Sequence, residues 1–197
     1  MAESGRLVIL SGPSGAGKST VVRELLAACS LPLVLFVSAT TRAPRPGEVN
    51  GKDYHFITKQ EFEQRREADE FLECKEVFGR GDWYGTLRET VDSGLSSGKW
   101  VILEIDVQGA LTVIDRRPDT ISLFVHPGSE EELERRLRRR GTDSEEAIRR
   151  RLEVAADELT YKHHYDYEVI NRDVAETVRE ICQLLKQSIN QESKHNA

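Results

Sequence analysis

The stretch "GPSGAGKS", Gly12 to Ser19, constrains this chain more than any other. It follows "LVIL" (Leu7–Leu10), a continuous apolar run of the kind that forms a strand buried on both faces. It precedes a helical pattern from Lys18 to Cys29, in which Val21, Val22, Leu25 and Leu26 share one side. Strand, glycine turn and helix are the context in which this spacing cradles phosphate. Glycines let the backbone curl so that successive N–H groups point inward at phosphate oxygens. The helix N-terminus adds partial positive charge, Lys18 reaches the β- and γ-phosphates, and the Ser19 hydroxyl can ligate Mg²⁺. The motif implies a nucleoside triphosphate and Mg²⁺. It does not name the acceptor, because hydrolases and motors share it.

Other apolar runs extend the pattern. Leu33–Val37 and Thr120–Val125 read as buried strands, and "WVILEIDVQG" (Trp100–Gly109) as a third. "EVIN" (Glu168–Asn171) is a short strand, and Val174, Val178, Ile181 and Leu185 mark one face of a closing helix. Strands alternating with helices predict an α/β fold with a parallel-sheet core flanked by helices. At 197 residues the chain suits one well-buried domain. Its core is expected from 1–37, 98–138 and 156–197. Residues 38–97 are polar, with Phe56, Ile57, Phe62, Phe71, Leu72, Val77 and Phe78 as scattered anchors, and read as an inserted mixed α/β lobe. Leu133 and Leu137, then Ile148 and Leu152, lie one turn apart on either side of Gly141–Ser144. This helix–turn–helix makes 139–155 a candidate lid.

A net charge of −6 argues against general nucleic-acid affinity, and no apolar run is long enough to span a bilayer. Cys29, Cys74 and Cys182 have no metal-ligand spacing, and residues 1–10 lack a signal-peptide arrangement. The expectation is three reduced thiols in a cytoplasmic protein.

"LEID", Leu103 to Asp106, puts two acids at alternate positions where a strand runs out. Glu104 or Asp106 could position Mg²⁺ waters at the sheet rim. Either could equally cap the next turn. "SATTRAPRPGEVNGKDYHF", Ser38 to Phe56, has neither strand nor helix period. Its Arg42 and Arg45 forks, with the hydroxyls of Ser38 and Tyr54, match a phosphate, and Pro44, Pro46, Gly47 and Gly51 stiffen and bend the loop. A second phosphate site, apart from the first, is what a phosphate acceptor requires.

With those residues in place the chain resembles the guanylate kinases, P-loop nucleoside monophosphate kinases. The likeness continues through "FLECKEVFG", "YGT", "LEIDVQG", "ERRLRRRGTDSEEAIRRRL" and "EVIN". It implies ATP:GMP phosphotransfer with Mg²⁺. Ser38, Arg42, Arg45 and Tyr54, with Tyr84, would cage the GMP phosphate. Glu73 and Thr86 would read guanine, with Asp106 close by. ATP would lie on Gly12, Pro13, Ser14, Gly15, Ala16, Gly17, Lys18, Ser19 and Thr20. Arg136, Arg140 and Arg151 would reach its phosphates and the transferring group, with Asn171 beside adenine. Two departures stand out: Ala39 replaces a serine common in the family, and "GRGDWYG" is longer than in some relatives.

Chemistry supports Glu73 separately. Guanine presents N1–H and an amino group side by side, which one carboxylate can accept together, whereas adenine has an acceptor at N1. A relative that phosphorylates a sugar bisphosphate would keep the first phosphate loop but not this pair. A non-catalytic scaffold domain would not need the intact loop. The expected partners are therefore ATP and GMP, with dGMP a further acceptor, and neither nucleic acid nor membrane; oligomeric state stays open.

Overall fold

The computed structural model describes residues 5–77, 81–139 and 144–195. Its centre is a five-stranded sheet of β1 (Leu7–Ser11), β2 (Leu33–Phe36), β7 (Trp100–Glu104), β8 (Ile121–His126) and β9 (Tyr167–Ile170). Their order is β2-β7-β1-β8-β9, and every pairing is parallel. The apolar runs read from the sequence supply its buried strands, including all five residues of β1 and all six of β8.

Helices cover both faces. Val21, Val22 and Leu25 of α1 (Lys18–Ala28) pack with Val178, Ile181 and Leu185 of α7 (Val174–His195) over Val8, Leu10 and Leu123. On the opposite face Val91 of α3 (Arg88–Ser96) and Val107, Ala110 and Val113 of α4 (Val107–Arg116) pack on Ile9, Val101 and Phe124. Covering a parallel sheet on both sides removes its apolar surface from water, the main stabilising term in such a fold.

A second sheet has the order β4-β3-β6-β5, formed by β3 (Ala39–Thr40), β4 (His55–Phe56), β5 (Phe71–Val77) and β6 (Asp82–Leu87). With α2 (Lys59–Glu67) it encloses a small core of Ala39, Phe62 and Phe71, flanked by Ile57, Cys74, Trp83 and Leu87. Phe62 and Phe71 stack at 4.4 Å between centroids. Leu72 does not join this core: the register shifts between Phe71 and Glu73, and Leu72 packs in the main core with Val107 and Ala110. Ala39 is fully buried in the small core, so its methyl group faces away from the cleft described below.

α5 (Glu130–Arg139) and α6 (Glu145–Thr160) are zipped by Leu133, Leu137, Ile148, Leu152 and Ala155. Ser144 caps α6 by accepting from the Ala147 N–H. Two sequence expectations are corrected. The strand read through Gly109 ends at Glu104, because Asp106 accepts the Gly109 N–H and starts α4. Cys29 and Cys182 are not separate thiols but a disulfide with Cα atoms 5.8 Å apart, joining the end of α1 to α7. The two cysteines lie 153 residues apart in sequence, and the α1–α7 packing that joins them leaves no local spacing signal. Cys74 is free.

Candidate active site

The phosphate loop leaves the C-terminal end of β1, where the neighbouring strands β7 and β8 also end. Gly12, Gly15 and Gly17 take left-handed φ values of 134°, 95° and 90°. At Gly12 a Cβ would collide with the Val125 carbonyl oxygen of β8, so the turn can lie against the sheet only as glycine. Ala16 N–H closes the loop on Pro13 O at 3.2 Å. Lys18 Nζ donates to Gly12 O at 2.6 Å and to Pro13 O at 3.1 Å, and Ser19 and Thr20 open α1.

Strand register brings the second acidic element to this loop. Leu10 of β1 is paired with Glu104 of β7, and Ser19 Oγ donates to Glu104 Oε1 at 2.6 Å. Asp106 is engaged differently. Its Oδ1 caps α4 and its Oδ2 accepts from Lys75 Nζ at 3.1 Å. The two acids that looked equivalent in sequence thus part company at the strand end.

Lys18, Glu104 and Asp106 form one wall of a cleft of about 330 Å³. Ser38, Arg42, Arg45, Glu48, Tyr54, Glu73, Lys75, Tyr84 and Ile105 line the rest. Alternation in β5 and β6 explains the opposite wall. Trp83 and Leu87 turn into the small core, while Tyr84 and Thr86 face the other way, paired in register with Lys75 and Glu73.

At one end Arg42 is held by three hydrogen bonds. Its Nε donates to Tyr84 OH at 2.9 Å, its Nη2 to Glu48 Oε1 at 2.9 Å and its Nη1 to Ala43 O at 2.7 Å. Its guanidinium also lies 5.5 Å from the Tyr54 ring centroid, and Tyr54 meets Tyr84 edge-on. Glu48 accepts the Arg45 N–H as well, at 2.7 Å, so one carboxylate holds both arginine positions. Hydrogen bonding to Arg42 and Arg45 holds the Glu48 carboxyl below its ordinary value, and bonding to Glu48 raises Arg42.

At the other end Glu73 is 8% exposed and accepts from Thr86 Oγ1 at 2.7 Å. Its carboxylate lies over Gly109, where a Cβ would stand 3.0 Å from Oε2. Burial pushes the Glu73 carboxyl up to about 7; the Thr86 hydrogen bond opposes this and nearby Asp106 adds to it.

Behind the loop, Asn171 is buried and donates from Nδ2 to Ala16 O at 2.8 Å, while its Oδ1 accepts from Thr177 at 3.2 Å. Arg136 donates to Ala16 O, Asn171 O and Glu132. It therefore ties α5 to the loop and to the end of β9. Arg151 Nη1 reaches Ser14 Oγ at 3.5 Å. Arg140 lies outside the described residues.

Three residues of this neighbourhood were not singled out in the sequence. Glu48 had a signal, as the acid inside a loop otherwise chosen for its arginines. Lys75 had one too, standing two residues after Glu73 on a strand. Glu158 of α6 had none; its carboxyl is raised by burial while lying in the field of Lys18, Asp106 and Lys75.

The family model for guanylate kinase matches residues 4–188. The guanylate kinase of Rhodopirellula baltica is 61% identical over 187 residues, 93% of this chain and 88% of that one. The guanylate kinase of Rubrobacter xylanophilus is 46% identical, covering 94% and 95% of the two chains. The crystal structure of guanylate kinase from Anaplasma phagocytophilum superposes with a TM-score of 0.74 at 36% identity, over 94% of this chain and 87% of that one.

Proposed function

The chain belongs to the guanylate kinase family and is an ATP:GMP phosphotransferase, and from that premise we propose how its own residues divide the work. The observation that carries the proposal is the two-ended cleft. Arg42, Arg45, Tyr54 and Tyr84 stand at one end, Glu73 with Thr86 at the other, and Lys18 of the phosphate loop faces both.

GMP lies along the cleft. Its phosphate meets the Arg42 and Arg45 forks, with Ser38, Tyr54 and Tyr84 completing the cage. Glu48 keeps Arg42 extended before the substrate arrives, which lowers the entropy lost on binding. Glu73 accepts the guanine N1–H and amino hydrogens, the single Thr86 hydroxyl hydrogen turns from Glu73 toward O6, and Asp106 stands beside the base. An adenine in the same place would bring its N1 lone pair against a buried carboxylate, an unpaired contact that costs heavily.

ATP phosphates lie in the loop from Gly12 to Thr20, with Lys18 on the β- and γ-groups. Arg140 and Arg151 bring positive charge from the lid (139–155) and Arg136 from α5 beside it, and Asn171 holds the loop where the adenine side begins. The lobe (38–97) and lid close toward the core. A phosphate monoester has its second pKa near about 6, so GMP arrives as an anion and no dedicated base is needed. The work is to bring two anions into line. Lys18 and the lid arginines offset charge at the transferring group, and Arg42 and Arg45 offset it on the acceptor.

Mg²⁺ suits the meeting of Ser19 Oγ and Glu104, two hard oxygen donors at the loop mouth. When bound there it neutralises phosphate charge. Ser19 would ligate it directly and Glu104 through water. Asp106, held by Gly109 and Lys75, serves the acceptor side instead. dGMP is expected as a second acceptor.

No described helix is long and apolar enough to cross a membrane. A cytoplasmic location follows from the nucleotide substrates, and the Cys29–Cys182 pair runs against it, because such bonds are rare in that compartment.

The test is ADP release from Mg·ATP with GMP, AMP, UMP and ribose 1,5-bisphosphate offered separately. Turnover with GMP well above the other three is expected. Preferred turnover with the sugar bisphosphate would discard the base-reading role of Glu73 and Thr86.

A further inference from the structure

Lys75 is the cleft cation that the division of labour above leaves without a task. It stands two residues from Glu73 on β5, facing the same wall, and opposite Tyr84 in the ladder. Its ammonium reaches Asp106 Oδ2 at 3.1 Å, with both side chains 41% exposed. Asp106 Oδ1 is meanwhile fixed by the Gly109 N–H, so the two contacts together leave this carboxylate one orientation.

The charges around it explain why a cation is needed. Glu73 comes from β5, Asp106 from the β7–α4 turn and Glu158 from α6, and Asp106 acts on each of the other two. Thr86 on β6 meets Glu73 through a hydroxyl, and Cys74, next in the chain, lies in the field of Glu73. Lys75 acts on both Glu73 and Glu158 from within the cleft wall, and Lys18 acts on Glu158 with it. Burial is the first cause that raises the Glu73 and Glu158 carboxyls, Asp106 adds to it at both, and Lys75 opposes it at both.

We propose that Lys75 is a positioning residue that sets acceptor specificity, fixing the Asp106 carboxylate in one orientation beneath the base and standing as a counter-charge beside Glu73. This rests on the reading of the cleft as the GMP site. Lys75 acts through the two carboxylates rather than on the transferring phosphoryl group. Its loss should therefore appear in acceptor binding and in the pH at which Glu73 becomes an acceptor, not in the handling of ATP.

The experiment is kcat and KM for GMP and for ATP between pH 5.5 and 9 (a range of about 3.5 units around the neutral His and carboxyl region) in the wild type, Lys75→Met and Lys75→Arg. In the wild type kcat/KM for GMP should fall on the acid side with an inflection near the value of about 7 held by Glu73. In Lys75→Met the inflection should move up by about one unit, and KM for GMP should rise about fivefold at about pH 7 and about tenfold well below the inflection, since one pKa unit is a tenfold change in equilibrium. KM for ATP should stay unchanged, and Lys75→Arg should restore most of both effects. An unmoved inflection and GMP KM in a folded Lys75→Met overturns the inference while leaving the GMP site intact. Equal rises in both KM values, or loss uncorrected by arginine, also overturns it, because that is the result of general disruption. Absence of GMP turnover in the wild type would overturn the reading of the cleft itself, and this inference with it.

Discussion

Thr86 and Glu73 face each other across the β5–β6 ladder, hydroxyl to carboxylate at 2.7 Å, in a position from which water is nearly excluded. One hydroxyl partner does not offset burial of a full charge. The Glu73 carboxyl is accordingly pushed up from 4.5 to about 7, first by burial.

That shift has a signed consequence for stability. Between pH 4.5 and 7 the unfolded chain releases this proton while the folded chain keeps it. The folded state then binds more protons, so its stability falls as pH rises through that interval. Glu73→Gln removes the contribution. Thermal melting should show the variant gaining on the wild type as pH goes from 4.5 to 8, and a constant difference would contradict the assignment.

Lys18 holds two carbonyl oxygens of its own loop, Gly12 and Pro13. Lys18→Met should leave GMP affinity nearly intact by calorimetry, because the acceptor cage is built elsewhere. Turnover should fall by at least about a hundredfold, the scale of losing one transition-state donor. Unchanged turnover would remove Lys18 from the chemistry.

Asn171 joins the phosphate loop to α7 through Ala16 O and Thr177. Asn171→Ala removes the acceptor of the buried Thr177 hydroxyl and one of the two donors on Ala16 O, where Arg136 remains. The expected loss is about 1–3 kcal/mol in urea unfolding, with a raised KM for ATP and little change in KM for GMP. A rise confined to GMP would show that the loop is held in some other way.

The pairing of Cys29 with Cys182 predicts one accessible thiol, Cys74, when the unfolded protein is alkylated without reductant. After reduction three labels should appear. Removing the bond should cost roughly 2–5 kcal/mol of stability. Three labels before reduction would restore the expectation of free thiols.

Much of this site was legible because its signals are local. The phosphate loop carries its own strand and helix, and the arginine loop declares itself by residue type. Apolar runs placed the parallel sheet because a strand buried on both faces has no polar alternation to obscure it. What escaped notice depends on contacts distant in sequence. Glu104 and Asp106 look alike as strand-end acids, and only their distant partners, Ser19 and Lys75, separate them. Leu72 looked like a lobe anchor, but a register shift of one residue turns it into the main core. Cys29 and Cys182 are joined only by the packing of α1 on α7, and Glu158 enters the cleft's field from a helix whose periodicity says nothing of what it approaches.

The most direct test of the central claim, that Glu73 reads the acceptor base, is the ratio of kcat/KM for GMP to that for AMP in wild type and Glu73→Gln. A carboxylate accepts both guanine hydrogens, whereas an amide accepts one and offers a donor that adenine N1 can take. The account predicts that the ratio falls by about a hundredfold or more, with AMP turnover unchanged or increased. A ratio equal to that of the wild type, in a folded variant, would contradict it.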